Sequence, residues 1–148
     1  FGLAEQIERN GAAFYRKCAQ IHPGASELLN KLAAMEDGHL KIFQGLHKDV
    51  GGRAAEATAA DPDNQASMYL RAMAGGYVFD TRKNPSETIT GKESLADIVG
   101  IAIGLEKDSI VFYLGLKDMV RKSAGKDKVD EIIREEMKHI TWLSEQLK

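Results

Sequence analysis

Six residues of two types carry the chemistry this sequence offers: Glu8, Glu36, His39, Glu106, Glu136 and His139. They fall into an internal repeat. IERNGAAFY at 7–15 matches LEKDSIVFY at 105–113, and EDGHL at 36–40 matches EMKHI at 136–140. Each half holds a glutamate, a tyrosine seven residues later, and Glu-x-x-His about 30 residues on. The polar positions match as well as the apolar ones, which is more than amphipathic helices share by composition alone. At i, i+3 spacing a glutamate and a histidine project from one side of one helix. Four ionised carboxylates gathered in a core would each lose several kcal/mol in desolvation and would repel one another. Two divalent cations remove both penalties, because their four positive charges match the four carboxylates and neutral imidazoles complete the shells. Oxygen-rich ligation with one nitrogen per metal and no sulfur favours iron or manganese over structural zinc. A lone Glu-x-x-His is a weak signal, since such pairs also form solvated contacts on helix surfaces. Two of them drawn from four histidines, at equivalent points of a repeat, are a strong one.

Helices must hold these residues. Four long amphipathic patterns run over about 2–21, 26–49, 93–122 and 127–147. Their apolar positions recur every three or four residues, the mark of a helix facing a core. The first has Leu3, Ile7, Gly11, Phe14 and Cys18 on one face. In the second, Leu28, Leu32, Met35, Ile42, Phe43 and Leu46 form the stripe, with Glu36 and His39 beside it. The third turns Leu95, Ile98, Ile101, Ala102, Leu105 and Phe112 inward, and the fourth Val129, Ile132, Ile133, Ile140 and Leu143. HPGAS at 22–26, Gly51-Gly52 and SAGK at 123–126 end the first three. The connection over about 50–92 is unusually long. Part of it, NQASMYLRAM at 64–73, reads as a short helix capped by Asp61 or Asp63 and closed by Gly75-Gly76. The predicted fold is therefore all-α: two helical hairpins joined by a long crossover containing a short helix, a four-helix bundle in a single domain over 1–148. The crossover must climb a bundle about 40 Å tall. It is also long enough to let hairpins exchange between two chains, so a homodimer is expected.

Composition narrows the function classes. A chain of 148 residues supports one domain with a real core. The net charge of −2, with acids and bases interspersed, gives no basis for nucleic-acid binding. The single cysteine, Cys18, excludes an internal disulfide or a CxxC site. Together with the lack of a leader pattern at Phe1, this leads to the expectation of a cytoplasmic protein. IVGIAIGL at 98–105 is too short to span a bilayer, so no membrane is expected.

The sequence resembles the rubrerythrin-related branch of the ferritin-like di-iron carboxylate superfamily across nearly the whole chain. The carriers are ERNGAAFY, MEDGHLKIF, LEKDSIVFY and EEMKHI. The resemblance implies a ferritin-like bundle around two iron ions, with manganese or zinc as substitutes. Glu36 and Glu136 would bridge them, Glu8 and Glu106 would be terminal carboxylates, and His39 and His139 the nitrogen ligands. It implies reduction of hydrogen peroxide or oxygen, with ferrous-iron oxidation and iron handling as the alternative. The sequence departs from full-length rubrerythrins in two respects. It has no four-cysteine rubredoxin-like module, so a separate donor protein such as a rubredoxin would supply electrons. It has Ser109 one turn after Glu106, where rubrerythrins carry an additional glutamate, and this weighs against a specialised peroxidase. No recognisable fifth helix follows the fourth, which argues against a storage cage. A non-catalytic helical module with a structural metal layer is the third reading.

Tyr15 and Tyr113 lie two turns after Glu8 and Glu106. They would hydrogen-bond a ligating carboxylate or intercept stray oxidation, or else simply pack as bundle aromatics. Cys18 reads as a small core residue, His22 as a loop histidine, and His47 as solvent-facing. Gly100 and Gly104 read as points of close helix approach, and Trp142 as a packing or interface residue.

Overall fold

A computed structural model describes residues 1–51, 63–74 and 83–148, and the regular structure among them is all helical. The long helices are α1 (Gly2–Ile21), α2 (Ser26–Gly51), α4 (Leu95–Met119) and α5 (Lys126–Glu145), with the short α3 (Gln65–Ala74) between α2 and α4. Among the described residues no helix is long and apolar enough to cross a membrane.

α1 and α2 form one hairpin, turned by a 3-10 helix at Pro23–Ala25, and α4 and α5 form the other. Both are antiparallel, as two pairs of side-chain contacts show: Glu5 meets His47 while Arg16 meets Asp37, and Glu106 meets His139 while Lys117 meets Asp130. The start of α4 shares an end of the molecule with the start of α2, so the chain after α2 must return along the helices before α4 begins. Of that return the structure describes α3, which packs on α4, and a 3-10 helix at Pro85–Thr88 against α1. Tyr69 of α3 donates to the Val111 carbonyl at 3.0 Å, and Lys17 of α1 to the Ser86 carbonyl at 2.6 Å.

The core is in two parts. One apolar cluster joins Ala4 and Ile7 to Phe43, Leu46, Phe112 and Ile132. The other joins Phe14 and Cys18 to Leu29, Leu32, Ile98 and Leu143. In all four long helices the candidate ligands lie between the two clusters in sequence, so a polar layer separates two apolar half-cores.

Several predicted faces shift. On α2 the buried positions are Leu29, Leu32, Ala33, Glu36, His39, Phe43 and Leu46, while Leu28 and Met35 are half-buried and Ile42 is exposed. Glu36 and His39 are therefore members of the stripe and not its neighbours. Leu3 and Ile101 are exposed as well, and Leu105 and Ile140 are only partly buried. Among the described residues nothing lies within 4 Å of where a Cβ would stand at Gly100 or Gly104; the glycines that another helix crowds are Gly11, Gly115, under the Tyr69 ring, and Gly125.

Helix ends move for identifiable reasons. α4 begins at Leu95 because Ser94 caps it: its Oγ accepts from Asp97 N and Asp97 Oδ2 accepts from Ser94 N. Glu93, expected inside the helix, instead accepts from Thr90 and Gly91, and these hydrogen bonds hold its carboxyl at about 2. α4 ends at Met119, short of 122, where Val120 turns extended (φ −100) into the core. A 3-10 turn at Lys122–Ala124 and Gly125 at φ 105 then reverse the chain. α2 continues two residues past 49, to Gly51, and α5 covers Lys126–Glu145 where 127–147 was expected. For α3, Asp61 and Gly75-Gly76 lie outside the described residues; the Asn64 carbonyl accepts its first hydrogen bond, from Met68.

Candidate metal centre

The local sequence fixes where each ligand points. Glu8 sits on α1 between Ile7 and the apolar positions Ala4 and Ala12, so its side chain enters the core with them. Glu106 on α4 follows Ala102 by one turn and precedes Ser109 and Phe112 on the same buried face. On α2 and α5 each Glu-x-x-His occupies stripe positions that would otherwise take leucine. All six residues are at most 4 % exposed.

They form two overlapping groups: Glu8, Glu36, His39 and Glu136, and Glu36, Glu106, Glu136 and His139. Within each group one oxygen or ring nitrogen per residue lies within 4.8 Å of all the others. Glu36 and Glu136 belong to both. Glu136 divides its oxygens, with Oε1 3.1 Å from His39 Nδ1 and Oε2 2.8 Å from His139 Nδ1. His39 Nδ1 is also 3.5 Å from Glu8 Oε2, and His139 Nδ1 is 3.2 Å from both Glu36 Oε1 and Glu106 Oε1. The two imidazoles lie nearly parallel, 5.7 Å apart between centroids.

Of these contacts only His139 Nδ1 with Glu106 Oε1 is a hydrogen bond. Glu8 Oε2, Glu36 Oε1, His39 Nδ1 and both oxygens of Glu136 are buried without a hydrogen-bond partner. Orphaned buried acceptors cost about 1–3 kcal/mol each, more when charged. Five of them converging on one layer, from oxygen and imidazole donors, fit divalent cations. Without cations, protons must do the same work. Burial alone would pull both histidines down, but the carboxylates around them outweigh it and hold His39 at about 11 and His139 at about 12. Burial, with the Glu136 charge second, lifts Glu106 to about 7 and raises Glu8 too. Glu36 stands well above the ordinary range through burial and the charges of Glu8 and Glu106.

Around this layer the hydrogen bonds cross between the hairpins. Tyr15 of α1 donates to Glu106 Oε1 of α4, and Tyr113 of α4 donates to Glu8 Oε1 of α1. Both tyrosine hydroxyls thus find a carboxylate of the layer as partner. Burial and the surrounding negative charge raise both phenols well above their ordinary value, so they stay protonated and donate.

Two residues that adjoin the layer were not apparent in the sequence. Glu135 Oε2 lies 2.6 Å from His39 Nε2, the ring nitrogen that faces away from the layer. A carboxylate there accepts a hydrogen bond from Nε2–H, which fixes the tautomer and leaves Nδ1 free for a metal. The sequence signal is the doubled acid in EEMKHI. It falls outside the repeat, because the equivalent position in α2 is Met35, and His139 Nε2 is correspondingly buried without a partner. Glu135→Gln should lower affinity for the ion near His39 about 10–100-fold, while the ion near His139 binds as before; metal titration with one spectroscopic signal per site checks this. The other is Gly11. A Cβ there would stand 2.9 Å from Glu36 Oε2, so the absent side chain leaves room for the carboxylate.

The remaining candidates are peripheral. Cys18 is fully buried and held at about 11, chiefly by burial, as suits an inert core thiol. His22 Nε2 is 2.8 Å from the Glu93 carbonyl. His47 is exposed but pairs with Glu5 at 2.6 Å. Trp142 packs on the His139 ring and carries Lys31 Nζ 4.0 Å above its own.

No protein-family model, curated protein or solved structure matches this chain.

Proposed function

We propose that the chain is a ferritin-like four-helix bundle of the rubrerythrin-related type, holding two iron ions and reducing hydrogen peroxide with electrons from a separate donor protein. One observation carries the reading: two four-residue ligand groups share Glu36 and Glu136, and in them buried carboxylates and imidazoles converge without hydrogen-bond partners. When bound, an iron pair supplies one electron per ion, enough to reduce one peroxide to two waters with two protons.

The chain's own residues do the rest. Glu36 and Glu136 would hold both ions, Glu8 and His39 the first, Glu106 and His139 the second. Tyr15 and Tyr113 keep Glu106 and Glu8 oriented and retain a proton at each Oη. Glu135 keeps the proton of His39 on Nε2. The apolar half-cores exclude water from both ends of the layer. A small oxidant reaches it through a cavity of about 370 Å³ that touches Gly11, Tyr15, Glu36 and Glu106.

The test is stopped-flow oxidation of anaerobically prepared, Fe(II)-loaded protein. Rapid oxidation of two irons per chain by one equivalent of peroxide, faster than by oxygen, is expected. Faster reaction with oxygen and iron uptake far beyond two per chain would favour ferroxidase chemistry. Failure to bind two ions would overturn both.

A further inference from the structure

The cavity is much larger than a peroxide requires. A single water needs roughly 10–15 Å³ of such space, and the cavity offers about 370 Å³, within the range of roughly 300–1,000 Å³ typical of sites for organic ligands. Small residues on facing helices create it. Gly11 contributes no side chain, and Ser109 is short, its hydroxyl turned back to the Leu105 carbonyl at 3.0 Å. Ile7, Ile101, Leu105 and Pro85 make part of the wall apolar. The inner end is set by Glu36, Glu106 and Tyr15; Asn10, Lys83, Thr88 and Asp108 also line the cavity.

We infer that this cavity binds an uncharged aliphatic molecule of medium length with an oxygen function at one end, such as a primary alcohol, its oxygen directed to the Glu36–Glu106 face. The apolar stretch selects the chain by burial. The charges select against ions: Lys83 and Asp108 are of opposite sign, and four carboxylates with two divalent cations leave the inner end without net charge. A terminal hydroxyl is matched at that end, where Glu36 turns Oε2 toward the space above Gly11. A carboxylate head would meet Glu36 and Glu106 directly whenever the metals are absent. The direction of the oxygen rests on the metal-centre reading, whereas the binding of the chain does not.

The experiment follows methyl NMR signals of the full chain, metal-free and Zn(II)-loaded, during titration with primary alcohols from ethanol to 1-octanol. The expected result is saturable shifts at Ile7, Ile101 and Leu105, each added methylene tightening binding about three- to fourfold. Ser109→Phe, which fills the cavity, and Ile101→Trp, which narrows it from a partly exposed position, should each weaken octanol binding by about tenfold or more. Ile101→Trp decides the matter if Ser109→Phe does not fold. Absence of shifts at these methyls, unchanged binding in the folded variants, or shifts spread equally over the exposed Met68 and Leu114 would overturn the inference. Zinc uptake is measured in the same samples. Octanol binding without zinc uptake keeps the cavity and refutes the metal centre; zinc uptake without octanol binding refutes the cavity alone.

Discussion

Titrating Mn(II) or anaerobic Fe(II) into the metal-free chain should load two ions and raise the melting temperature by roughly 10–20 °C. A ligand at a hundredfold excess over its Kd stabilises by about 2.7 kcal/mol per site, and a domain of this size gains about 2–4 °C per kcal/mol. The variants should divide by position. Glu36→Ala and Glu136→Ala remove a residue common to both groups, so both ions should be lost or weakened together. Glu8→Ala and His39→Ala should weaken one ion, Glu106→Ala and His139→Ala the other. The metal-free variants should not all be destabilised, because removing one of four crowded carboxylates relieves repulsion as well as removing contacts. Metal stoichiometry with calorimetric melting checks this division. Two unimpaired ions in Glu136→Ala would show that the shared position has been misread.

Metal-free protein should lose stability as pH rises, by about 5–15 °C in melting temperature between about pH 6 and about pH 9. In the folded chain His39 and His139 hold their protons to about 11 and about 12, where an unfolded histidine releases its proton near the ordinary value of 6.5. A raised folded pKa contributes stability that is complete below the unfolded value and declines as pH climbs toward the folded one. Glu106, at about 7 against an ordinary 4.5, works in the same direction over its own lower window. So do Glu8 and Glu36, whose folded values are also raised. The protons neutralise the layer, and alkaline solution withdraws them. Bound cations replace them, since ligation requires deprotonated carboxylates and neutral imidazoles. The metal-loaded protein should therefore show a flat or opposite trend over the same range. Melting curves at several pH values, with and without metal, check the sign; a metal-free protein equally stable at both ends would contradict it.

The six converging residues were legible in the sequence because a repeat with matched polar positions is a statement about spacing, and spacing survives folding. The buried faces were less so. Apolarity marks a stripe only while the stripe is apolar, and on α2 two of its positions are Glu36 and His39. Once they are admitted, Leu29 and Ala33 join them and Ile42 drops out. The start of α4 was obscured because Glu93 looks like a first-turn acid, whereas Ser94 and Asp97 close the capping box. Glu135 was hidden for a different reason. Its side chain is 41 % exposed, and it meets His39 across 96 positions of sequence, so neither apolarity nor local spacing reports it. The cavity, too, is a product of packing, made where Gly11 and Ser109 come to face one space.

The crossed tyrosine bonds make the two hairpins dependent on each other. Each hairpin carries a glutamate, a Glu-x-x-His pair and a tyrosine, yet each tyrosine serves the glutamate of the opposite hairpin. Cut apart, either half would hold three of six ligands and a phenol with nothing to donate to. The smallest complete unit is thus the pair of hairpins, which this chain supplies in one length. The two halves are nonetheless not equal: Glu135 faces His39, whereas Met35 stands in the matching place, so two equivalent histidines are chemically distinct.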